Sequence, residues 1–228
     1  MVRITNQKQI FIKVLYWGPA AGGKTTAVDT LYRTCKEQNK ELEPTGNLTK
    51  IAMASGSTLY FDRGIFQSKK QRNIFFHTYT VAGQSRFSPL RKKVFMGTDG
   101  VIFVVDSQKS RLHDNIESLK ELKSVAEGML IKKIPILVML NKRDLPDIIS
   151  VEEWEQIMKN EGLFFEQDSD YAMWNPIIYE SIATFDNAKN VYRIFTEVAR
   201  RCVLYQAYGN GEAPSKVQVK LSKDVPDL

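Results

Sequence analysis

Gly18-Pro19-Ala20-Ala21-Gly22-Gly23-Lys24-Thr25 matches the pattern G-x-x-x-x-G-K-[ST], and its flanks say what the match means. Upstream, Ile10-Phe11-Ile12-Lys13-Val14-Leu15-Tyr16-Trp17 is rich in β-branched and aromatic residues and stops at Gly18, which reads as a strand. Downstream, Ala27/Val28, Leu31/Tyr32 and Cys35 recur at helical spacing. A glycine-rich loop between a strand and a helix is the setting in which this pattern cradles phosphate. Glycines let backbone N–H groups turn inward around phosphate oxygens, and the helix N-terminus adds positive potential. Lys24 is placed to reach β- and γ-phosphates, and the Thr25 hydroxyl to ligate Mg²⁺. Gly18, Ala21, Gly22, Gly23 and Thr26 complete the residues expected around the phosphates.

Beyond this loop, strand and helix patterns alternate. Leu59–Phe66 and Asn73–Val81 read as two strands joined around Lys69–Arg72, and Val101–Val105 and Ile134–Leu140 as buried strands. After Ser110, the spacing of Leu112, Ile116, Leu119, Leu122 and Val125/Ala126 predicts an amphipathic helix. Val151–Lys159 reads as a short helix and Ile177–Ser181 as a last strand. A final helix carries Ala188, Val191, Phe195, Val198/Ala199 and Cys202. Unbroken apolar strands alternating with helices imply a mostly parallel sheet covered on both faces. Residues 1–207 read as one domain, and the glycine, proline and charge of residues 208–228 as a polar, mobile tail.

A chain of 228 residues suits one domain with attachments. With 43% hydrophobic and 25% charged residues it is neither disordered nor collagen-like. No apolar run approaches the ~18 residues of a membrane helix. Met1-Val2-Arg3 begins no signal peptide and offers no myristoylation glycine, and Val225-Pro226-Asp227-Leu228 carries no prenylation cysteine. A cytoplasmic protein without a lipid anchor is expected. Two cysteines, Cys35 and Cys202, suit a reducing compartment. The net charge of +6 favours anionic partners. Its basic clusters, Lys69-Lys70-Gln71-Arg72, Arg91-Lys92-Lys93 and Lys132-Lys133, read as solvated loops. No aromatic-and-basic repeat points to a nucleic acid partner.

Asn141-Lys142-Arg143-Asp144 directly follows the Ile134–Leu140 strand, at the sheet edge that also carries the phosphate loop. A carboxylate such as Asp144 can accept from guanine N1–H and the exocyclic amine, a donor pair that adenine lacks. Sites built on such bonds discriminate by up to ~10⁴. The stem of Lys142 can lie along the base plane. Elsewhere, His77 on a strand reads as a packed histidine and Asp106, ending a buried strand, as structural rather than a metal ligand. The aromatics of residues 163–176 either cap the core locally or offer a partner patch.

Together these motifs resemble the Ras-type small GTPases. Thr58-Leu59-Tyr60-Phe61-Asp62, His77 through Val81 and Asp99 through Gln108 are similar to the prokaryotic gliding-motility (MglA-type) members. Gly18-Pro19 and Ile134-Pro135 through Pro146 match the same group. The resemblance spans roughly residues 8 to 205. It implies a Rossmann-like P-loop NTPase fold, a mostly parallel six-stranded sheet with one antiparallel strand and helices on both faces. It also implies a monomeric GTP/GDP switch that needs Mg²⁺. Such switches act on polarity, motility or trafficking through effectors that read the switch segments, and a GTPase-activating protein, of roadblock fold in this group, turns them off. By position, Thr58 joins Thr25 as a metal ligand, Gly83 gives its N–H to the γ-phosphate, and Gln84 orients the attacking water. Lys24, Gly83 and Gln84 thus form the catalytic set. Ala183, in Glu180-Ser181-Ile182-Ala183-Thr184, offers an N–H to guanine O6 beside Asn141, Lys142 and Asp144.

Two positions depart from the pattern. Thr80 stands where most Ras-like chains have aspartate, a substitution shared with the gliding-motility group. Ser57 stands where many of that group carry a cis arginine, with Arg63 and Arg86 in the switch segments but out of place. Three function classes follow: a slow, activator-dependent GTP hydrolase; a nucleotide-locked GTP/GDP scaffold; and a P-loop kinase, which Asn141–Asp144 disfavours.

Overall fold

The computed structural model describes residues 2–52, 58–82 and 88–221. The described strands form one sheet. Its main path runs β3 (Leu42–Pro44), β5 (Thr58–Ser68), β6 (Ile74–Thr80), β2 (Ile10–Trp17), β7 (Gly100–Asp106), β8 (Ile136–Asn141) and β9 (Ile178–Glu180). β2 pairs in parallel with β6 and β7, β7 with β8, and β8 with β9; β5 is antiparallel to β6. Two further strands lie off this path, β1 (Arg3–Ile4) against β2 and β4 (Thr49–Ala52) against β5.

The expected count of six strands is therefore too low: the described residues form nine, with β1–β2, β3–β5, β4–β5 and β5–β6 all antiparallel. β1 fills the stretch of β2 at Ile10 and Phe11, which lies before the first partner of β7 at Val14. β3 and β4 pair with different stretches of β5. Strands of two to four residues are too short to show an alternation of period two. β8 opens at Ile136, not Ile134, because Pro135 has no N–H to give to a ladder.

Helices cover both faces. Alternation along β2 sends Ile12, Val14 and Tyr16 to one core, where they meet Ala27, Val28 and Leu31 of α1 (Lys24–Glu37) and Val191, Phe195 and Val198 of α5 (Lys189–Gly209). Leu15 and Trp17 go to the other core. There they join Val94 and Phe95 of α2 (Ser88–Phe95), Leu119 and Leu122 of α3 (Leu112–Ala126), and Trp154 and Met158 of α4 (Val151–Asn160). Phe195 lies against Phe66 and Phe76, and Phe103 stacks on Trp154. Each such fully buried side chain contributes roughly 1.5–3 kcal/mol relative to exposure. Cys35 and Cys202 are buried free thiols on different helices, α1 and α5, of the same core.

The domain limit expected at residue 207 falls inside α5, which runs to Gly209. The chain then folds back into α6 (Lys216–Leu221). Trp174, Leu204 and Tyr205 form a third apolar cluster, with Tyr208, Ala213 and Val219 packed on it. The Trp174 indole donates to the Pro214 carbonyl at 2.6 Å, and the Ala213 N–H to that of Lys132 at 2.7 Å. The aromatics of residues 163–176 divide. Phe164, Phe165 and Trp174 cap the cores, whereas Tyr171 and Met173 are exposed. Arg201 fastens this segment by donating to the carbonyls of Trp174 and Asn175. Among the described residues no helix is long and apolar enough to cross a membrane.

Candidate functional site

The phosphate loop follows directly on β2. At Gly18 a Cβ would lie 2.1 Å from the carbonyl oxygen of Val104, so only glycine lets the loop leave β2 this close to β7. Gly23 has φ 99°, and a Cβ there would meet Asn141 Nδ2 at 2.2 Å. Ala21 also adopts a positive φ, 60°, at the exposed crest. Lys24 is buried, and its ammonium donates to the carbonyls of Gly18 (3.0 Å) and Pro19 (2.6 Å). Thr25 is half-buried and Thr26 exposed in the first turn of α1. That turn has no side-chain cap and no acidic residue. By contrast, α4 is capped by Ser150 and opens with Glu152 and Glu153. A helix start left without carboxylates keeps its N–H groups and positive potential available to an anion.

Asn141-Lys142-Arg143-Asp144 lies at the end of β8, on the same sheet edge. Asn141 is buried and joins three segments: its Nδ2 donates to the Gly22 carbonyl (2.9 Å), and its Oδ1 accepts from the Ala183 N–H (2.9 Å). The Ala183 carbonyl in turn accepts from Thr30 of α1 (2.8 Å). The N–H expected to meet guanine O6 is thus held by Asn141. Lys142 adopts φ 65°, and its ammonium lies 2.6 Å from Asp106 Oδ2. Arg143 bonds the Ile149 carbonyl and Glu180. Asp144 is exposed, and among the described residues no protein group bonds its carboxylate.

The sequence reading left several supporting residues unfound. Arg111, just before α3, donates to the Ala20 carbonyl of the phosphate loop at 3.2 Å. Asn115, fully buried on α3, bonds both the N–H and the carbonyl of Asp106. Arg91 is no solvated loop residue. It is 2% exposed, stacks 4.1 Å from the Trp17 ring, and pairs with Glu121 at 2.8 Å. Trp17 itself donates to the Ser118 carbonyl. No local pattern marks Arg111 or Arg91, since their partners Ala20, Trp17 and Glu121 lie far along the chain.

Of the switch positions, Thr58 opens β5 and Thr80, buried, closes β6. Ser57, Gly83, Gln84, Arg86 and Phe87 lie outside the described residues. Arg63 lies over the Tyr79 ring, near His77. His77 packs edge-on against Phe11. Desolvation, then the charges of Arg63 and Arg3, lowers its pKa to about 4, so it is neutral at physiological pH. Among the described residues no cluster of three or more His, Cys, Asp or Glu could hold a metal. The Thr25 hydroxyl is a hard oxygen donor beside the phosphate loop. This suits Mg²⁺, which keeps several waters and takes few protein ligands beside phosphate oxygens.

The ADP-ribosylation factor family model matches residues 1–175. The mutual gliding-motility protein MglA of Myxococcus xanthus is 33% identical over 203 residues, covering 86% of this chain and 96% of that protein. Human ADP-ribosylation factor-like protein 4A is 28% identical over 148 residues, 64% of each chain.

Proposed function

The chain belongs to the ADP-ribosylation factor family of small GTPases, and on that premise we propose that it is a guanine-nucleotide switch that hydrolyses GTP to GDP and phosphate. The observation that supports this most is the bond from Asn141 Nδ2 to the Gly22 carbonyl, which makes the phosphate loop and the base-reading loop one unit. Asp144, exposed at that junction, accepts from guanine N1–H and the exocyclic amine. With nucleotide bound, Lys24 exchanges its two loop carbonyls for β- and γ-phosphate oxygens, which cost it no new desolvation because it is already buried. The Thr25 hydroxyl, with Thr58, would hold Mg²⁺, which would supply positive charge to offset that of the phosphates.

In the hydrolytic step Gln84 holds a water in line with the γ-phosphorus. The water oxygen forms the new P–O bond, the β–γ bridging bond breaks toward GDP, and the water's proton passes to phosphate oxygen. Gly83 steadies the γ-phosphate through its N–H. With serine at position 57, the intrinsic rate is slow and an activator completes the charge. The similarity to a protein named for gliding motility supports a role in motility. Effectors that read the switch and a roadblock-fold activator that ends it are part of this proposal, as the family resemblance implies.

The test is nucleotide content at purification and phosphate release from GTP and ATP, alone and with a roadblock-fold partner. GTP-specific release stimulated by the partner is expected. GTP retained intact through long incubation with that partner would favour a nucleotide-locked module instead, and equal use of ATP would overturn the guanine assignment.

A further inference from the structure

Asp106 ends β7 directly opposite Asn141 in the β7–β8 register, so it enters the base-reading loop from the neighbouring strand. It is 1% exposed, and both of its carboxylate oxygens are occupied. Oδ2 accepts from the Lys142 ammonium at 2.6 Å, and Oδ1 from the Gln108 amide side chain at 3.0 Å and its N–H at 3.3 Å. The backbone of Asp106 is clamped in turn. Asn115 Oδ1 accepts from its N–H at 3.0 Å, and Asn115 Nδ2 donates to its carbonyl at 2.8 Å. A fully bonded carboxylate on a fixed backbone is a rigid anchor for whatever it holds. Lys142 needs one, since its φ of 65° lies in the left-handed region that a β-carbon disfavours. Its side chain is 28% exposed, open enough to face a ligand along its stem while its charge stays tied.

We propose that Asp106 is a positioning residue for base recognition, fixing the Lys142 ammonium so that the lysine stem forms one wall of the guanine slot. The inference rests on the guanine-nucleotide reading above and deepens it, adding a recognition residue that never touches the nucleotide. Burial alone would raise the Asp106 carboxyl's pKa. The bonds from Lys142 and Gln108 outweigh burial and hold it below the usual carboxylate range, so the anchor is ionised at neutral pH. Because Asp106 acts only through Lys142, the two residues must be energetically coupled.

The experiment measures GDP dissociation rate and the GDP-over-IDP and GDP-over-ADP preferences for the wild-type protein and for Asp106→Asn, Lys142→Met and the double variant. Asp106→Asn is expected to release GDP at least about tenfold faster and to narrow the preference for GDP. In the Lys142→Met background the same change is expected to add less than about twofold. An Asp106→Asn protein that releases GDP at the wild-type rate overturns the inference, as does an equal acceleration in both backgrounds, which is the mark of a general loss of structure. Should Asp106→Asn not fold, Lys142→Met alone decides. It keeps the apolar stem but loses the charge that Asp106 holds, so wild-type GDP release from it overturns the inference and acceleration supports it. A wild-type protein that binds no GDP overturns the functional reading itself, and the inference with it.

Discussion

At the scale of single residues, the loop proposed to read the base separates its work. The polar heads of Asn141, Lys142 and Arg143 are all tied to the protein itself, and of the four side chains only the Asp144 carboxylate is exposed for a polar bond to a ligand. Asp144→Ala should therefore lower GDP affinity by more than about a hundredfold while leaving thermal stability unchanged, because two donors on the base lose an ionised acceptor. Titration calorimetry with GDP, paired with thermal denaturation, checks both halves. His77 makes an opposite case, of a titratable group used only for packing. Its pKa falls to about 4 in the fold against about 6.5 unfolded, so between those values the unfolded chain binds more protons. Stability should hold above pH 6.5 and fall as the pH drops from 6.5 toward 4. In His77→Gln this histidine's share of the loss should vanish, measured as urea midpoints across that range.

At the scale of elements, α2 follows the segment that carries Gly83 and Gln84, and Arg91 pins it. The guanidinium lies between Trp17 at the end of β2 and Glu121 of α3. Arg91→Ala strands the Glu121 carboxylate and should cost about 3 kcal/mol, and Arg91→Lys should recover only part, since lysine neither stacks flat nor forks. Urea unfolding of the three proteins tests this. Which elements could be read from the sequence follows from the same physics. β7 and β8 announce themselves because both of their faces are buried, which gives unbroken apolar runs; α1 and α3 do so through periodicity. β1, β3 and β4 are two to four residues long, too short for an alternation to show in the sequence. Arg91 next to Lys92 and Lys93 looks solvated in sequence, and only the fold reveals Glu121 and Trp17 beside it. Phosphate and base loops were legible because their chemistry demands particular residues at fixed offsets. Asp106 was legible as structural, but its hold on Lys142 depends on the β7–β8 register, which a linear sequence does not display.

At the scale of the whole molecule, the sheet's carboxyl edge carries the phosphate loop and the Asn141–Asp144 loop, while the return from α5 to α6 covers Trp174, Leu204 and Tyr205. A chain ending at Gly209 would uncover that cluster and lose the Trp174–Pro214 bond. It should be less stable by about 2–4 kcal/mol yet bind GDP unchanged, because the lost contacts involve none of the nucleotide loops. Calorimetric melting with and without GDP separates these effects. Trp17 joins those loops to the rest of the fold: it precedes Gly18, lies under the Arg91 cation, meets the Phe95 ring edge-on and donates to α3. Indole emission responds to the position of a nearby charge. The protein therefore carries its own optical reporter at the joint between phosphate loop and α2, and nucleotide exchange could be followed in real time by the fluorescence of Trp17 in a Trp154→Phe, Trp174→Phe background, with no dye attached.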